Sequence, residues 1–271
     1  MRPGRSSIRG LALASLLAII PARAARPRAS AQLPGVDATF RAADGWALHA
    51  RYLAARDQGR QTLVLLHGRG MRKEFWLPLA RALRKAGYGY LALDLRGHGQ
   101  SATGPDGKPA TWRHFKVSKE RNDYEGMDLD VQAAVAWLEA ARVPQESIGL
   151  IGQGLGGSVA VKYAALHPKV APLALLSPGL DYEDIPIVNA IRAYTGRPIL
   201  MVYGELDRTA SEAVPILAAF ARHSAGERET TVVSLPAVHG DRLLTPALAA
   251  RIVAWLEAPV APEAPRPDSL H

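Results

Sequence analysis

From Ile148 to Ala160 the chain reads Ile-Gly-Leu-Ile-Gly-Gln-Gly-Leu-Gly-Gly-Ser-Val-Ala, an apolar strand that runs through a glycine cluster straight into a helix. A strand can turn this sharply into a helix only through backbone angles that glycine adopts without steric penalty. The segment therefore predicts a strand–turn–helix unit whose turn lies at Gly152, Gly154, Gly156 and Gly157. Apolar runs alternate with helical patterns along the rest of the chain, so the expected class is α/β with a mostly parallel sheet.

Two motifs share these letters. Gly152, Gly154 and Gly157 spell Gly-x-Gly-x-x-Gly, the dinucleotide-binding fingerprint when it lies between a strand and a helix. That fingerprint also asks for an acid closing the next strand, about 20 residues on. Here the next strand is Leu173–Ser177, followed by Pro178 and Gly179, and the first acid is Asp181, beyond the turn. The fingerprint also normally opens its domain, whereas two well-formed strands precede this one, so the dinucleotide reading is the weaker one.

The N-terminus sets an expectation for compartment. Arg2, Arg5 and Arg9 precede the apolar run Leu11–Ile20, and Ala22-Arg23-Ala24 offers a small-x-small cleavage site. This predicts a signal peptide over 1–24 and an exported, periplasmic or secreted protein. The run is about half the length of a membrane-spanning helix, so no stable membrane anchor is expected. There is no cysteine, hence no disulfide framework. Without residues 1–24 the charge is 29 Lys and Arg against 25 Asp and Glu, a net of +4 rather than +8. That balance gives no reason to expect nucleic acid as a partner. One local excess, Trp112 to Arg121, gathers Arg113, His114, Lys116, Lys119 and Arg121 around Phe115 and reads as a solvated loop or a contact for an acidic partner.

Residues 25–37 read as a linker, 38–257 as one domain, and 258–271, with Pro259, Pro262, Pro265 and Pro267, as a disordered tail. Within the domain, Ala38–Phe40 and Ala47–Tyr52 read as an antiparallel hairpin, and Thr62–Leu66 as a strand buried on both faces. Further strands are expected at Tyr90–Leu95, Ser147–Ile151, Leu173–Leu176, Pro198–Tyr203 and Thr230–Leu235, with helices between them near Phe75–Lys85, Tyr124–Ala141, Leu155–Leu166, Ala210–Arg222 and Pro246–Leu256. The stretch from Asp181 to Arg197 is too short for a large cap domain. The loop 102–126 is the one sizeable insertion and is expected to form a small flap.

Four segments make the chain resemble the α/β-hydrolase superfamily, and within it the serine aminopeptidase and monoacylglycerol-lipase-like group. They are His67-Gly68-Arg69-Gly70, Asp94-Leu-Arg-Gly-His98-Gly-Gln-Ser101, the Gly152–Gly157 turn, and the pair Gly204-Glu-Leu-Asp207 with Val238-His239-Gly240. The resemblance implies an α/β-hydrolase fold over about 38–257, with helices on both faces of the sheet. It implies that Asp94–Ser101 is structural, and that the backbone N–H groups of Arg69 and Leu155 form an oxyanion hole. It also implies a catalytic acid at Asp207 and a histidine at His239, in the family's order of nucleophile, acid and His.

The family's nucleophile elbow is Gly-x-Ser-x-Gly, and here Gly152 and Gly156 flank Gly154 where the serine belongs. Ser158, Ser177 and Ser101 are not expected to replace it, because a nucleophile must lie within hydrogen-bond reach of its base. Two functions follow. One is an esterase-like hydrolase site, inactive or weakly active, that binds a small-molecule ester, amide or carboxylate. The other is direct hydrolysis by water activated by a His239–Asp207 dyad. No cofactor and no metal is implied.

Overall fold

The computed structural model describes residues 32–57 and 59–258, besides Met1. The expected export segment and the Pro-rich tail from Pro259 lie outside the described residues. Within them, eight strands form one sheet in the order β1-β2-β4-β3-β5-β6-β9-β10. These are β1 (Val36–Arg41), β2 (Ala47–Leu53), β3 (Thr62–Leu66), β4 (Gly89–Asp94), β5 (Ile148–Gln153), β6 (Leu173–Leu176), β9 (Ile199–Gly204) and β10 (Thr230–Leu235). The first hairpin is antiparallel, β2 pairs antiparallel with β4, and every pair from β4 to β10 is parallel.

The period of two along each strand divides the core into two layers. Leu63 and Leu65 of β3 face one side, with Tyr90, Ile151, Leu176 and Val202, under α1 (Leu77–Ala86) and α6 (Pro246–Glu257). Val64 and Leu66 face the other, with Leu93, Leu150, Leu175 and Met201. That side is covered by α2 (Met127–Ala140), α3 (Leu155–Leu166), α4 (Val188–Ala193) and α5 (Arg208–Ser224). Both faces of the central strands are thus dry, and β3, β4 and β5 are buried at every position.

Local chemistry starts and stops these elements. Helix α1 ends at Gly87, whose φ of +84° lets its N–H and that of Tyr88 bond back to Arg84 and Leu83. Helix α6 opens with Pro246 and a Thr245 side chain accepting from Leu248 N at 3.2 Å.

Besides small shifts at the ends of several elements, the structure differs from the sequence expectation in three places. The linker gives way early, because Leu33 is buried in the core and β1 begins at Val36. The helix expected from Phe75 starts at Leu77, after a 3₁₀ turn at Lys73–Trp76. The stretch after β6 carries a hairpin of two-residue strands, β7 (Asp181–Tyr182) and β8 (Ile185–Pro186), and the six-residue helix α4. These lay below the length at which periodicity is visible.

The segment Asp94–Ser101 ties the loops above β3 and β4 together. Asp94 accepts from Lys73 N at 2.8 Å, Lys73 Nζ at 2.5 Å and Gln100 N at 3.0 Å. Arg96 donates to Asp130 of α2 through its backbone N and its guanidinium, and reaches Asp44 at 2.7 Å. Ser101 Oγ accepts from His49 N. Gly99 is required, since a Cβ there would lie 2.3 Å from the Asp94 carboxylate.

The turn after β3 rests on two histidines of fixed tautomer. His67 Nε2 accepts from Leu95 N and His98 Nε2 accepts from Gly70 N, while each Nδ1 lies 2.9 Å from a carbonyl. Each ring therefore carries its proton on Nδ1 and is neutral. Burial, with the second imidazole 5.0 Å away, pushes His67 down to about 4, and burial lowers His98 as well.

Two outcomes follow. Asp130→Ala leaves Arg96 buried with only the half-exposed Asp44, so it destabilises the fold by about 3–5 kcal/mol. A shift of the urea midpoint by less than half that amount contradicts the tie. Acid acts through His67. Unfolded histidine binds a proton near 6.5, so between that value and about 4 the unfolded chain holds more protons. Stability therefore falls as pH drops, by about 2 kcal/mol between pH 7.5 and 5 from this residue. Asp130, raised to about 6 by burial, acts in the opposite direction. Urea titrations at the two values therefore compare the parent with His67→Asn, and an equal pH dependence in both contradicts the loss.

Candidate active site

Four glycines lie at the turn from β5 into α3, and they are not equivalent. A Cβ on Gly152 would lie 2.4 Å from Gly156 O, and one on Gly156 would lie 2.2 Å from Leu66 O. Both contacts are with backbone, so α3 sits directly on β5 and β3 only because these positions have no side chain. Gly154, the helix N-cap, is different: its Cβ would meet nothing nearer than Tyr182 Cε2 at 4.0 Å. Its φ of +51° and ψ of −118° are a conformation that costs another residue about 1–3 kcal/mol. Angle, rather than space, is what favours glycine there.

Leu155 begins α3, and its N–H is one of the amides a helix start leaves unpaired. Neither it nor the N–H of Arg69, on the turn after β3, finds an acceptor among the described residues. The side chain of Gln153, buried beneath the turn, packs against Gly68, where a Cβ would overlap its Oε1 at 1.8 Å. The start of α3 adds partial positive charge on the same side.

Asp207 follows β9 and caps α5, accepting from Ala210 N at 3.2 Å through Oδ1. Its Oδ2 faces Gly240, where a Cβ would lie 2.3 Å from it and 2.7 Å from Ser177 Oγ. The loop bearing His239 is therefore packed against the carboxylate. His239 itself is exposed and forms no hydrogen bond with Asp207. The expected dyad is thus adjacent but not joined in this structure: Asp207 Oδ2 faces the loop, and the imidazole turns to solvent.

The serines fall in three different places. Ser101 is committed to His49, Ser158 is buried in α3 without a partner, and Ser177 is buried at the end of β6, also without a partner, at a φ of +47°. Ser177 is nearer to Asp207 than its position in the chain suggested.

Sequence reasoning missed the hairpin β7–β8 as part of the site. Tyr182 stands beside Gly154, donates to Ser177 O at 3.2 Å, and is pushed up to about 12 by burial and the nearby Asp207 charge. Glu183, at the hairpin tip, pairs with Arg69 at 3.0 Å, and Asn122 from the 102–126 insertion donates to Glu183 O at 2.7 Å. The only sequence signal for these contacts was an aromatic residue among acids, Asp181-Tyr-Glu-Asp184, between a strand end and the expected catalytic acid. Among the described residues no cluster of three or more His, Asp or Glu could hold a metal ion. The structure adds nothing to the dinucleotide reading: of Gly152, Gly154 and Gly157, the first is taken up by helix packing, and β6 ends without an acid.

Comparison with known proteins adds to this geometry. The family model for the alpha/beta hydrolase fold matches residues 61–191, from β3 through the glycine turn into α4, and stops short of Asp207 and His239. The AB hydrolase superfamily protein YisY of Bacillus subtilis (strain 168) is 28% identical over 137 residues, which is 50% of this chain and 40% of that protein. The chain thus spans about two fifths of that relative. Among solved structures, the Pyrococcus furiosus esterase PF2001 is 18% identical with a TM-score of 0.64, covering 82% of this chain and 89% of its own. The alpha/beta hydrolase GrgF from Penicillium sp. sh18 is 17% identical with a TM-score of 0.63, covering 83% and 98%. With the sheet order and the strand–elbow–helix unit in agreement, the chain has the α/β-hydrolase fold, and its residues 61–191 match the model of that family.

Proposed function

We propose that this is an exported esterase-like protein that binds a small ester, amide or carboxylate and turns it over slowly or not at all. The observation that carries the reading is Gly154, which stands at the elbow with open space where a serine hydroxyl would be. No acyl-enzyme can form without that oxygen, and loss of a triad member typically leaves only about 10³–10⁴-fold acceleration over water. His239 and Asp207 stand on adjacent loops without a hydrogen bond, so the imidazole has to turn onto the carboxylate before it serves as base to a serine restored at 154. Binding survives this loss because its donors are backbone groups, the N–H of Arg69 and that of Leu155. One such donor is worth about 3–4 kcal/mol to a developing oxyanion, and weaker charge on a carboxylate or carbonyl uses the same geometry.

Turnover of a short-chain aryl ester separates this from a water-using hydrolase. The expected result is silence or a trace in the parent and clear activity in Gly154→Ser, lost again when His239→Ala is added. The serine variant should remain folded at a cost of about 1–3 kcal/mol. Parent activity abolished by His239→Ala would instead mean that the dyad activates water directly. Export rests on residues 1–24: the secreted or periplasmic protein should begin near Ala25 by N-terminal sequencing, and an uncleaved Met1 in the cytoplasm overturns it.

A further inference from the structure

The basic, aromatic segment that starts at Trp112 has no part in the elbow, yet it walls a cleft of about 560 Å³. The other walls are the oxyanion turn at Gly70, the start of the following helix at Arg72 and Phe75, and His98. Trp112 lies parallel to the His98 ring, 5.8 Å away at 9°. His98 contributes a flat surface and no charge, because both its nitrogens are engaged. The charge comes from arginine. Arg113 stands 5.1 Å over the Trp112 ring and has no carboxylate partner among the described residues. Arg72 is 70% exposed and reaches only Glu74, at 3.3 Å. Two guanidiniums against one carboxylate leave the cleft positive. Its link to the elbow is Arg69, whose guanidinium lies 5.6 Å from the same Trp112 ring while its N–H is the proposed oxyanion donor.

We propose that this cleft holds a flat anionic group, an aromatic carboxylate, belonging to the ligand whose carbonyl reaches Arg69 and Leu155. Guanidinium groups pair with a carboxylate through a planar fork, and the ring of the ligand has Trp112 and Phe75 to lie against. The part of the proposal that concerns the carbonyl rests on the function assigned above; the cleft's preference for an aromatic anion does not.

Calorimetric titration of the parent protein with 4-hydroxybenzoate and with its neutral isostere 4-hydroxybenzamide tests the cleft directly. The acid should bind saturably and the amide about tenfold more weakly or worse, with Arg113→Gln and Arg72→Gln each costing the acid about tenfold. Both positions are exposed, so the variants should fold. Equal binding of acid and amide, or an affinity unchanged in Arg113→Gln, overturns the proposal. A second arm uses Gly154→Ser with 4-acetoxybenzoate and 4-acetoxybenzamide, where the anion should show the lower KM and Arg113→Gln should remove the difference. Arginine-dependent benzoate binding with neither ester hydrolysed would leave the cleft standing and remove the hydrolase reading. Hydrolysis of both esters with equal KM would do the reverse.

Discussion

Everything at the candidate site depends on how closely α3 can sit on β5 and β3. The contact is backbone to backbone: Gly156 lies against Leu66 O, and Gly152 against Gly156 O. A single methyl at either place would push the helix off the sheet by more than an ångström. That closeness brings the start of α3 to the C-terminal ends of the strands, beside the turn that carries Arg69. In open α/β sheets this is the edge where ligands bind. The glycines here thus serve packing first.

The second constraint is the tie above β3 and β4. Asp94 and Arg96 are both buried, each satisfied by several hydrogen bonds, and each anchors a different loop. Asp94 holds Lys73, and with it the start of the first helix, while Arg96 holds α2. His67 and His98 complete the tie by accepting backbone N–H groups, which only their neutral forms can do. Charge, tautomer and turn geometry are therefore coupled, and the Arg69 amide inherits its position from them.

Most of the sheet was legible because its strands are long apolar runs and its helices begin and end on recognisable residues. Helix α3 and strands β6 and β10 begin and end where the sequence reading set them. What was not legible arises from tertiary contact. Two-residue strands carry no period, so the hairpin holding Tyr182 and Glu183 could not be seen, although it borders Gly154 and grips Arg69. Asp207 and His239 were legible as candidates from their order and their strand ends. Whether they join depends on which way His239 turns, since the cap takes only Oδ1 and leaves Oδ2 facing the loop of the histidine. The basic stretch from Trp112 read as a solvated loop or a contact surface; its nearness to the oxyanion turn required the fold.

The central claim is that the elbow is built in every respect except its nucleophile. The most direct measurement is the intact mass of the parent and of Gly154→Ser after exposure to a serine-directed fluorophosphonate. The account predicts no mass gain in the parent and one phosphonyl group per chain in the serine variant, bound at position 154. Stoichiometric labelling of the parent would contradict it by revealing a nucleophile elsewhere. A folded serine variant that stays unlabelled would contradict it too, by showing that the machinery around Gly154 does not support that chemistry.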